Sequence, residues 1–134
     1  MGMKEMVAAA KQRVRVVSKA ELERELAAGK VQLLDVRDIR ERWQEGSIPG
    51  ARSVPRGMLE FWADPESPYY KKGLEPAKRT IVYCAGGMRS ALAADALQQL
   101  GYQDVAHLEI GFHGWRDAGG EIEKVPVPDE IKKA

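Results

Sequence analysis

The chain has 134 residues, of which 44% are hydrophobic, 31% charged and 7% aromatic. This length and composition predict one globular domain with its own core, and they exclude a disordered chain and a collagen-like fibre. The 21 basic and 20 acidic residues give a formal net charge of +1 without a long basic stripe, so nucleic acid is not an expected partner. The single cysteine, Cys84, excludes an internal disulfide and leaves packing or reactivity as its role.

The sequence also carries no targeting or membrane signal. The apolar run at residues 7–10 is too short for a signal peptide or a membrane span. N-myristoylation requires a hydroxyl residue shortly after Gly2, where Met6 and Val7 stand instead. The expectation is therefore a cytoplasmic protein without a membrane partner, and the sequence leaves its oligomeric state open.

Apolar periodicity predicts an α/β fold in which strands and helices alternate. The predicted strands are residues 14–17, 31–36, 53–54, 80–83 and 105–108. The predicted helices are residues 3–13, a helix from the Ser18–Glu21 capping box to Gly29, one from Ile39 to Gly46, residues 56–62, one from about Ser90 to Gly101, and residues 112–118. This alternation favours a central parallel sheet of about five strands with helices on both faces, and such sheets bind ligands at the carboxyl ends of their strands.

The remaining segments complete the predicted organisation. Residues 1–13 are expected to be a helical extension packed on the domain edge, residues 14–120 the domain, and residues 121–134 an extended tail. The proline-containing loop at residues 64–77 is the longest, and we interpret it as a candidate lid. Its neighbouring aromatic side chains line this lid, pack in the core or cover the surface; they are Trp62, Tyr69 and Tyr70. His107 and His113 are not clustered with other ligands, so both are interpreted as structural or solvated, and neither a metal nor a cofactor is expected.

Residues 84–90, Cys-Ala-Gly-Gly-Met-Arg-Ser, combine the cysteine with features that favour reactivity. Gly86 and Gly87 allow backbone conformations in which successive amides turn towards one point. The helix that follows directs its free amides and the positive end of its dipole at the same point. Arg89 adds a full positive charge, and helix N-termini and arginines both stabilise a thiolate. Cys84 is therefore predicted to be a nucleophile in an anion-binding loop, in preference to a structural cysteine before a glycine turn.

This loop, together with motifs on either side of it, resembles the rhodanese family of sulfurtransferases. The matching motifs are Leu34-Asp35-Val36-Arg37, the turn at residues 45–51, the loop from Tyr83-Cys84 to Arg89-Ser90, Gly101-Tyr102, and Leu108-Glu109 with Gly111-Phe112 and Trp115. They cover about residues 15–120, and the resemblance implies a rhodanese-like three-layer domain. Two positions depart from the family pattern and put local turn geometry in question: Ser47 stands where histidine is usual, and Ile110 where glycine is common.

The resemblance also implies a mechanism. The Cys84 thiolate attacks the outer sulfur of a donor such as thiosulfate, sulfite leaves, and the enzyme carries the sulfur as a Cys84 persulfide. Cyanide, a cellular thiol or a protein then accepts that sulfur. Arg89 is expected to attract the anionic donor and Ser90 to cap the helix. The expected active-site loop consists of Ala85, Gly86, Gly87, Met88 and Ser90.

Two residues at the end of a neighbouring strand are weaker candidates. Arg37 is a candidate for contact with the substrate. Asp35 is interpreted as a structural cap or ion-pair partner beside the site.

Three alternative functions stay open. One is a persulfide carrier or sensor with little turnover of thiosulfate. Another is a phosphatase of related fold or an arsenate reductase, although these place arginine six positions after the cysteine, whereas Arg89 is five after Cys84. The smaller ring suits a single sulfur atom, as the family resemblance implies. The third is a non-catalytic binding module, which Cys84 and Arg89 both argue against.

Overall fold

A computed structural model describes residues 1–132, in which five short strands form one parallel sheet. The strands are β1 (Arg15–Val17), β2 (Gln32–Asp35), β3 (Arg52–Ser53), β4 (Thr80–Tyr83) and β5 (Val105–Leu108). Their order across the sheet is β1-β5-β4-β2-β3, and every neighbouring pair is parallel. The predicted α/β class and strand number are confirmed; the bounds of β4 and β5 are as predicted, and those of the other three strands differ by one residue at one or both ends.

Helices separate the strands and cover both faces of the sheet. They are α1 (Met3–Arg13), α2 (Lys19–Ala28), α3 (Ile39–Glu45), a 3₁₀-helix (Arg56–Met58), α4 (Leu59–Ala63), α5 (Met88–Gln99), α6 (Gly111–Asp117) and α7 (Asp129–Lys132). Within residues 1–132, none of these helices combines the length and the apolar character that crossing a membrane requires.

The central strands are apolar on both faces because each face packs against helices. Successive residues of a strand point to opposite faces, so Leu34 of β2 joins one core cluster and Leu33 the other. The first cluster includes Val82, Cys84, Ala93, Ala94 and Leu97. The second includes Leu22, Ile81, Tyr83, Phe112 and Trp115. Cys84 therefore lies on the face that α5 covers.

Capping interactions fix where α2 and α3 begin. The Ser18–Glu21 capping box predicted for α2 is present, and the helix ends at Gly29 in the left-handed conformation, with φ of 70°. A second capping box starts α3: the Asp38 side chain accepts from the first turn, and the Glu41 side chain accepts from the Asp38 amide. This second box places Glu41 on the first turn of α3.

Helix α1, which precedes β1, packs along α5. Val7 and Ala10 are buried, and Arg13 forms a two-bond ion pair with Asp95 of α5, with N–O distances of 2.9 and 2.7 Å. Met3 and Met6 are exposed. The contact with α5 is therefore made by small side chains, the Arg13–Asp95 ion pair and a hydrogen bond of 3.0 Å from the Gln98 side chain to the Arg13 carbonyl.

The loop at residues 64–77 lies at the end of the sheet opposite Cys84. The side chain of Gln32, at the start of β2, donates to the Glu75 carbonyl at 2.9 Å. The Pro76 carbonyl accepts from the amide of Gln103, just before β5, at 3.0 Å. The predicted lid is therefore wrong. Its neighbouring aromatic residues take the other two predicted roles: Trp62 and Tyr70 pack against the core, and Tyr69 is exposed on the surface.

The tail after residue 120 is extended at first, as predicted. Glu123 pairs with Ser47 through two backbone hydrogen bonds of 2.9 Å, in the antiparallel sense. The end differs from the prediction, because Asp129–Lys132 forms the short helix α7.

Candidate active site

Cys84 follows β4 directly and lies at the carboxyl end of that strand. Strand β4 is flanked by β2 and β5, and all four of its residues are buried. Only 1% of Cys84 is exposed. The thiol is thus held by the most central strand of the sheet, at the end where parallel α/β sheets bind ligands.

Two backbone amides donate to the sulfur of Cys84. The Gly87 nitrogen lies 3.1 Å from Sγ and the Ser90 nitrogen lies 3.4 Å from it. Gly87 has φ of 104° and immediately precedes α5, so the chain turns sharply before the helix begins. The sulfur therefore sits at the N-terminus of a 12-residue helix, an arrangement that favours negative charge on the sulfur.

A second segment, residues 109–113, supports the cysteine loop from outside. The Phe112 amide donates to the Cys84 carbonyl at 2.8 Å, and the His113 amide donates to the Ala85 carbonyl at 3.2 Å. Gly111 has φ of 69°, and a Cβ there would lie 2.2 Å from the Ala85 oxygen. The two segments approach too closely for any residue other than glycine at this position.

Arg89 projects from the first turn of α5 and pairs with Glu41 of α3. Its Nη1 and Nη2 atoms lie 2.6 and 3.0 Å from the two carboxylate oxygens of Glu41. The hydrogen bonds from Arg89 hold the pKa of Glu41 below its usual range, and the same bonds raise the pKa of Arg89. Sequence reasoning identified the arginine but missed its partner. The only signal for Glu41 was its spacing from Asp38, which is that of a capping box.

Ser90 differs from its predicted role as a helix cap. It is the third residue of α5, and its hydroxyl lies 2.9 Å from Nδ1 of His107 on β5. Its amide, by contrast, is one of the two that reach Sγ. His107 is buried, as the structural interpretation expected, and burial lowers the pKa of its imidazole.

Asp35 and Arg37 form the centre of a buried ionic network. Arg37 donates from its backbone and side chain to Asp35, with the shortest contact at 2.8 Å, and from Nη2 to the Gly46 carbonyl at 2.7 Å. Its guanidinium carbon lies 4.2 Å from the centre of the Phe112 ring. Burial opposes ionisation of Asp35, but the bonds from Arg37 outweigh it and lower the pKa of that carboxyl.

This burial revises the prediction for Arg37. The side chain has no exposed surface, and Asp35, the Gly46 carbonyl and the Phe112 ring engage its guanidinium, so the structure places it in the interior network and not against a substrate. Asp35 takes the structural role expected of it. Because Arg37 bonds to Gly46 at the end of α3, the network fixes the helix that carries Glu41.

The exposed part of the site is formed by the remaining loop residues. Gly86 and Met88 are exposed, and Ala85 is half-buried. The Met88 side chain, 52% exposed, lies at the start of α5 beside these amides. A donor approaching Cys84 therefore meets exposed backbone, the Met88 thioether and the partly exposed Arg89–Glu41 pair.

The two departures from the family pattern leave the neighbouring turns intact. Ser47 is buried, and its hydroxyl bonds to the Ile48 carbonyl at 2.9 Å and to the Tyr83 hydroxyl at 3.1 Å. Ile110 has φ of −68° and ψ of −16°, which any residue adopts. The left-handed position belongs to Gly111, so glycine is not required at residue 110.

Together, the parallel sheet and the cysteine loop at the carboxyl end of its central strand define a rhodanese-like domain. The model of the rhodanese-like domain family matches residues 18–118. The chain belongs to this family.

Relatives of the chain carry different names. A solved structure from Rhodopseudomonas palustris, described as "Protein of Unknown Function RPA3614, Possible Tyrosine Phosphatase", superimposes with a TM-score of 0.86 at 46% identity and covers 92% of this chain and 95% of that one. The human "Thiosulfate:glutathione sulfurtransferase" is 30% identical over 105 residues, covering 74% of this chain and 90% of the relative.

A third relative is much longer than the chain. "Probable adenylyltransferase/sulfurtransferase MoeZ" of Mycobacterium tuberculosis is 35% identical over 89 residues, which are 64% of this chain. The match spans only 20% of that protein. The similarity therefore concerns one part of the relative.

Proposed function

We propose that this protein is a sulfurtransferase that carries a sulfane sulfur as a persulfide on Cys84. The observation that carries the proposal is the pair of amides, from Gly87 and Ser90, that donate to Sγ at 3.1 and 3.4 Å. Amides held in this position stabilise a sulfur anion without any rearrangement during the reaction. Relatives named as sulfurtransferases support the same activity.

The first half-reaction charges the enzyme. The Cys84 thiolate attacks the outer sulfur of thiosulfate, a new S–S bond forms, and the S–S bond of thiosulfate breaks. Sulfite leaves with the bonding electron pair, and the outer sulfur keeps the negative charge that it carried in thiosulfate, so the persulfide is an anion. The positive end of α5 favours this charge.

The second half-reaction removes the outer sulfur from the Cys84 persulfide. Cyanide or a thiolate attacks the outer sulfur of the persulfide and takes it as thiocyanate or as a new persulfide. The electron pair of the broken S–S bond returns to Cys84 as the thiolate. No proton needs to be held between the two steps, so the site functions without a general base. The amides of the loop and the N-terminus of α5 stabilise the negative charge on the sulfur.

A phosphatase is the second candidate, because one relative is described as a possible tyrosine phosphatase. Phosphoryl transfer requires simultaneous stabilisation of three equatorial oxygens. Here the arginine of the loop is engaged by Glu41, and two amides converge on a single sulfur. These contacts favour sulfur transfer over phosphoryl transfer.

Steady-state kinetics with thiosulfate and cyanide test the proposal. We expect thiocyanate formation with parallel double-reciprocal lines, which indicate a covalent intermediate between two half-reactions. Cys84→Ser abolishes this activity, and p-nitrophenyl phosphate is not hydrolysed. Phosphate-ester hydrolysis that depends on Cys84, without thiocyanate formation, would make the phosphatase the correct function. Stoichiometric transfer of one sulfur without turnover would instead indicate a persulfide carrier.

A further inference from the structure

The cation beside Cys84 is neutralised by an ion pair. Both terminal nitrogens of Arg89 bond to the Glu41 carboxylate, at 2.6 and 3.0 Å, and both side chains are partly shielded, with 40% and 27% of their surface exposed. Glu41 is itself anchored, because its Oε1 atom accepts from the Asp38 amide at 3.1 Å. A donor therefore meets a guanidinium that already has a fixed carboxylate partner.

The neighbouring charged residues do not give the entrance to Cys84 a net positive charge. Arg40 bonds to Asp38 at 3.0 Å, so these two charges also cancel. Glu109, whose carbonyl packs against Gly87, is exposed and makes no ion pair within residues 1–132. Arg89, Glu41 and Glu109 together thus carry one net negative charge, which is not what a dianionic ligand requires.

We infer that Glu41 is a specificity-determining residue that directs the loop towards singly charged sulfur donors and away from dianionic thiosulfate. This inference rests on the proposed function. Coulomb energy scales with the product of the charges, so a dianion is penalised twice as strongly as a monoanion for approaching the Glu41 carboxylate. The favoured donor class is R–SO₂–S⁻ or R–S–S⁻, from which Cys84 takes the terminal sulfur while the sulfinate or thiolate leaves with the electron pair.

The substitution Glu41→Gln removes the negative charge of this side chain and keeps the start of α3 intact. Glutamine serves as well as glutamate at the third position of a capping box, so the bond to the Asp38 amide is retained. Glu25→Gln is the matched control. Glu25 forms the same two-bond pair with Arg79, at 2.8 and 3.1 Å, and is 28% exposed, but it lies at the amino end of β4.

Two probes of nearly the same shape measure the effect: thiosulfate, with two negative charges, and methanethiosulfonate, with one. The quantity is the ratio of kcat/KM for thiosulfate to kcat/KM for methanethiosulfonate, with cyanide as the acceptor. We expect Glu41→Gln to raise this ratio about tenfold, chiefly through KM, because one unit of negative charge is removed from the partner of the loop arginine. Glu25→Gln leaves the ratio at the wild-type value.

Salt dependence of the wild-type protein gives a second measurement that needs no variant. Screening weakens the repulsion of the dianion more than that of the monoanion, so the ratio rises with ionic strength. An unchanged ratio in Glu41→Gln, or a wild-type ratio that falls with salt, overturns the inference about Glu41 alone. A wild-type protein that forms no persulfide with either probe overturns the proposed function, and this inference with it.

Discussion

The Ser90 hydroxyl lies 2.9 Å from Nδ1 of His107, and both side chains are buried. This bond joins β5 to the third residue of α5, whose amide donates to the Cys84 sulfur. An imidazole on the neighbouring strand thus fixes the orientation of the helix turn that holds the thiol. The Nε2 atom of His107 has no hydrogen-bond partner within residues 1–132, so the neutral ring is the form that the interior accommodates.

His107 makes the stability of the protein depend on pH. Burial lowers the pKa of His107 in the folded state below the ordinary histidine value of 6.5. As the pH falls below that value, the unfolded chain binds a proton that the folded protein excludes. The free energy of unfolding therefore decreases, by up to about 1.4 kcal/mol per pH unit, until the pH reaches the folded-state pKa.

His107→Asn removes this part of the pH dependence. The amide occupies about the position of Nδ1 and does not titrate, so the loss of stability between about pH 7.5 and pH 5 becomes smaller than in the wild-type protein. Urea denaturation at several pH values measures it, and His113→Asn controls for the loss of a histidine as such. Identical pH dependence in His107→Asn and the wild-type protein would contradict the assignment.

Gly111→Ala tests the close approach of the two segments around the loop. Any non-glycine residue in the left-handed region costs about 1–2 kcal/mol, and here the added Cβ would also meet the Ala85 oxygen at 2.2 Å. We expect lower stability and loss of persulfide formation. Gly50→Ala is the matched control, since Gly50 has φ of 82° but nothing within 4 Å of the added Cβ. Equal effects of the two substitutions on unfolding free energy would show that the clash is relieved.

Arg89→Ala leaves the Glu41 carboxylate uncompensated beside the sulfur. We expect kcat/KM for thiosulfate to fall by about tenfold or more, because the remaining charge repels the donor. The double variant Arg89→Ala with Glu41→Gln recovers much of this loss, because it removes the uncompensated carboxylate as well. Arg89→Lys has an intermediate effect, since it keeps the charge but not the planar two-bond geometry. A double variant as impaired as Arg89→Ala alone would show that the loss does not come from the charge of Glu41.

Arg37→Met tests the buried network. Removing one member of a buried ion pair costs about 3–5 kcal/mol when the other charge is left alone in the interior. Here Arg42 still lies 2.9 Å from Asp35 and the Tyr83 hydroxyl donates to the same carboxylate at 2.9 Å, so we expect a loss below that range. Urea denaturation measures the loss. Arg40→Ala breaks the exposed pair with Asp38 and leaves stability close to that of the wild-type protein. Similar stability of the two variants would indicate that Arg42 and Tyr83 compensate Asp35 fully.

The fold and the location of Cys84 could be predicted because their signals are local. Apolar runs, capping residues and helix-ending glycines lie next to the elements they define, and Cys84 directly follows β4. The partners of the loop could not be predicted in the same way. Glu41 lies 48 residues from Arg89 in the chain, and His107 lies 17 residues from Ser90.

Two errors have the same physical origin. Arg37 has the side chain of a substrate-binding residue, but its direction is set by Asp35, Gly46 and Phe112, which come from three different elements. The loop at residues 64–77 has the length and composition of a lid, but hydrogen bonds to Gln32 and Gln103 hold it at the opposite end of the sheet. In both cases the deciding contacts include residues distant in sequence: Phe112 for Arg37, and Gln32 and Gln103 for the loop.

The mass of the protein after incubation with thiosulfate or methanethiosulfonate tests the central claim most directly. We predict a gain of one sulfur atom, located on the peptide that contains Cys84, and its complete removal by cyanide with formation of thiocyanate. Cys84→Ser shows no gain. An unchanged mass with both donors, or a sulfur that is gained equally by Cys84→Ser, would contradict the assignment of Cys84 as the sulfur carrier.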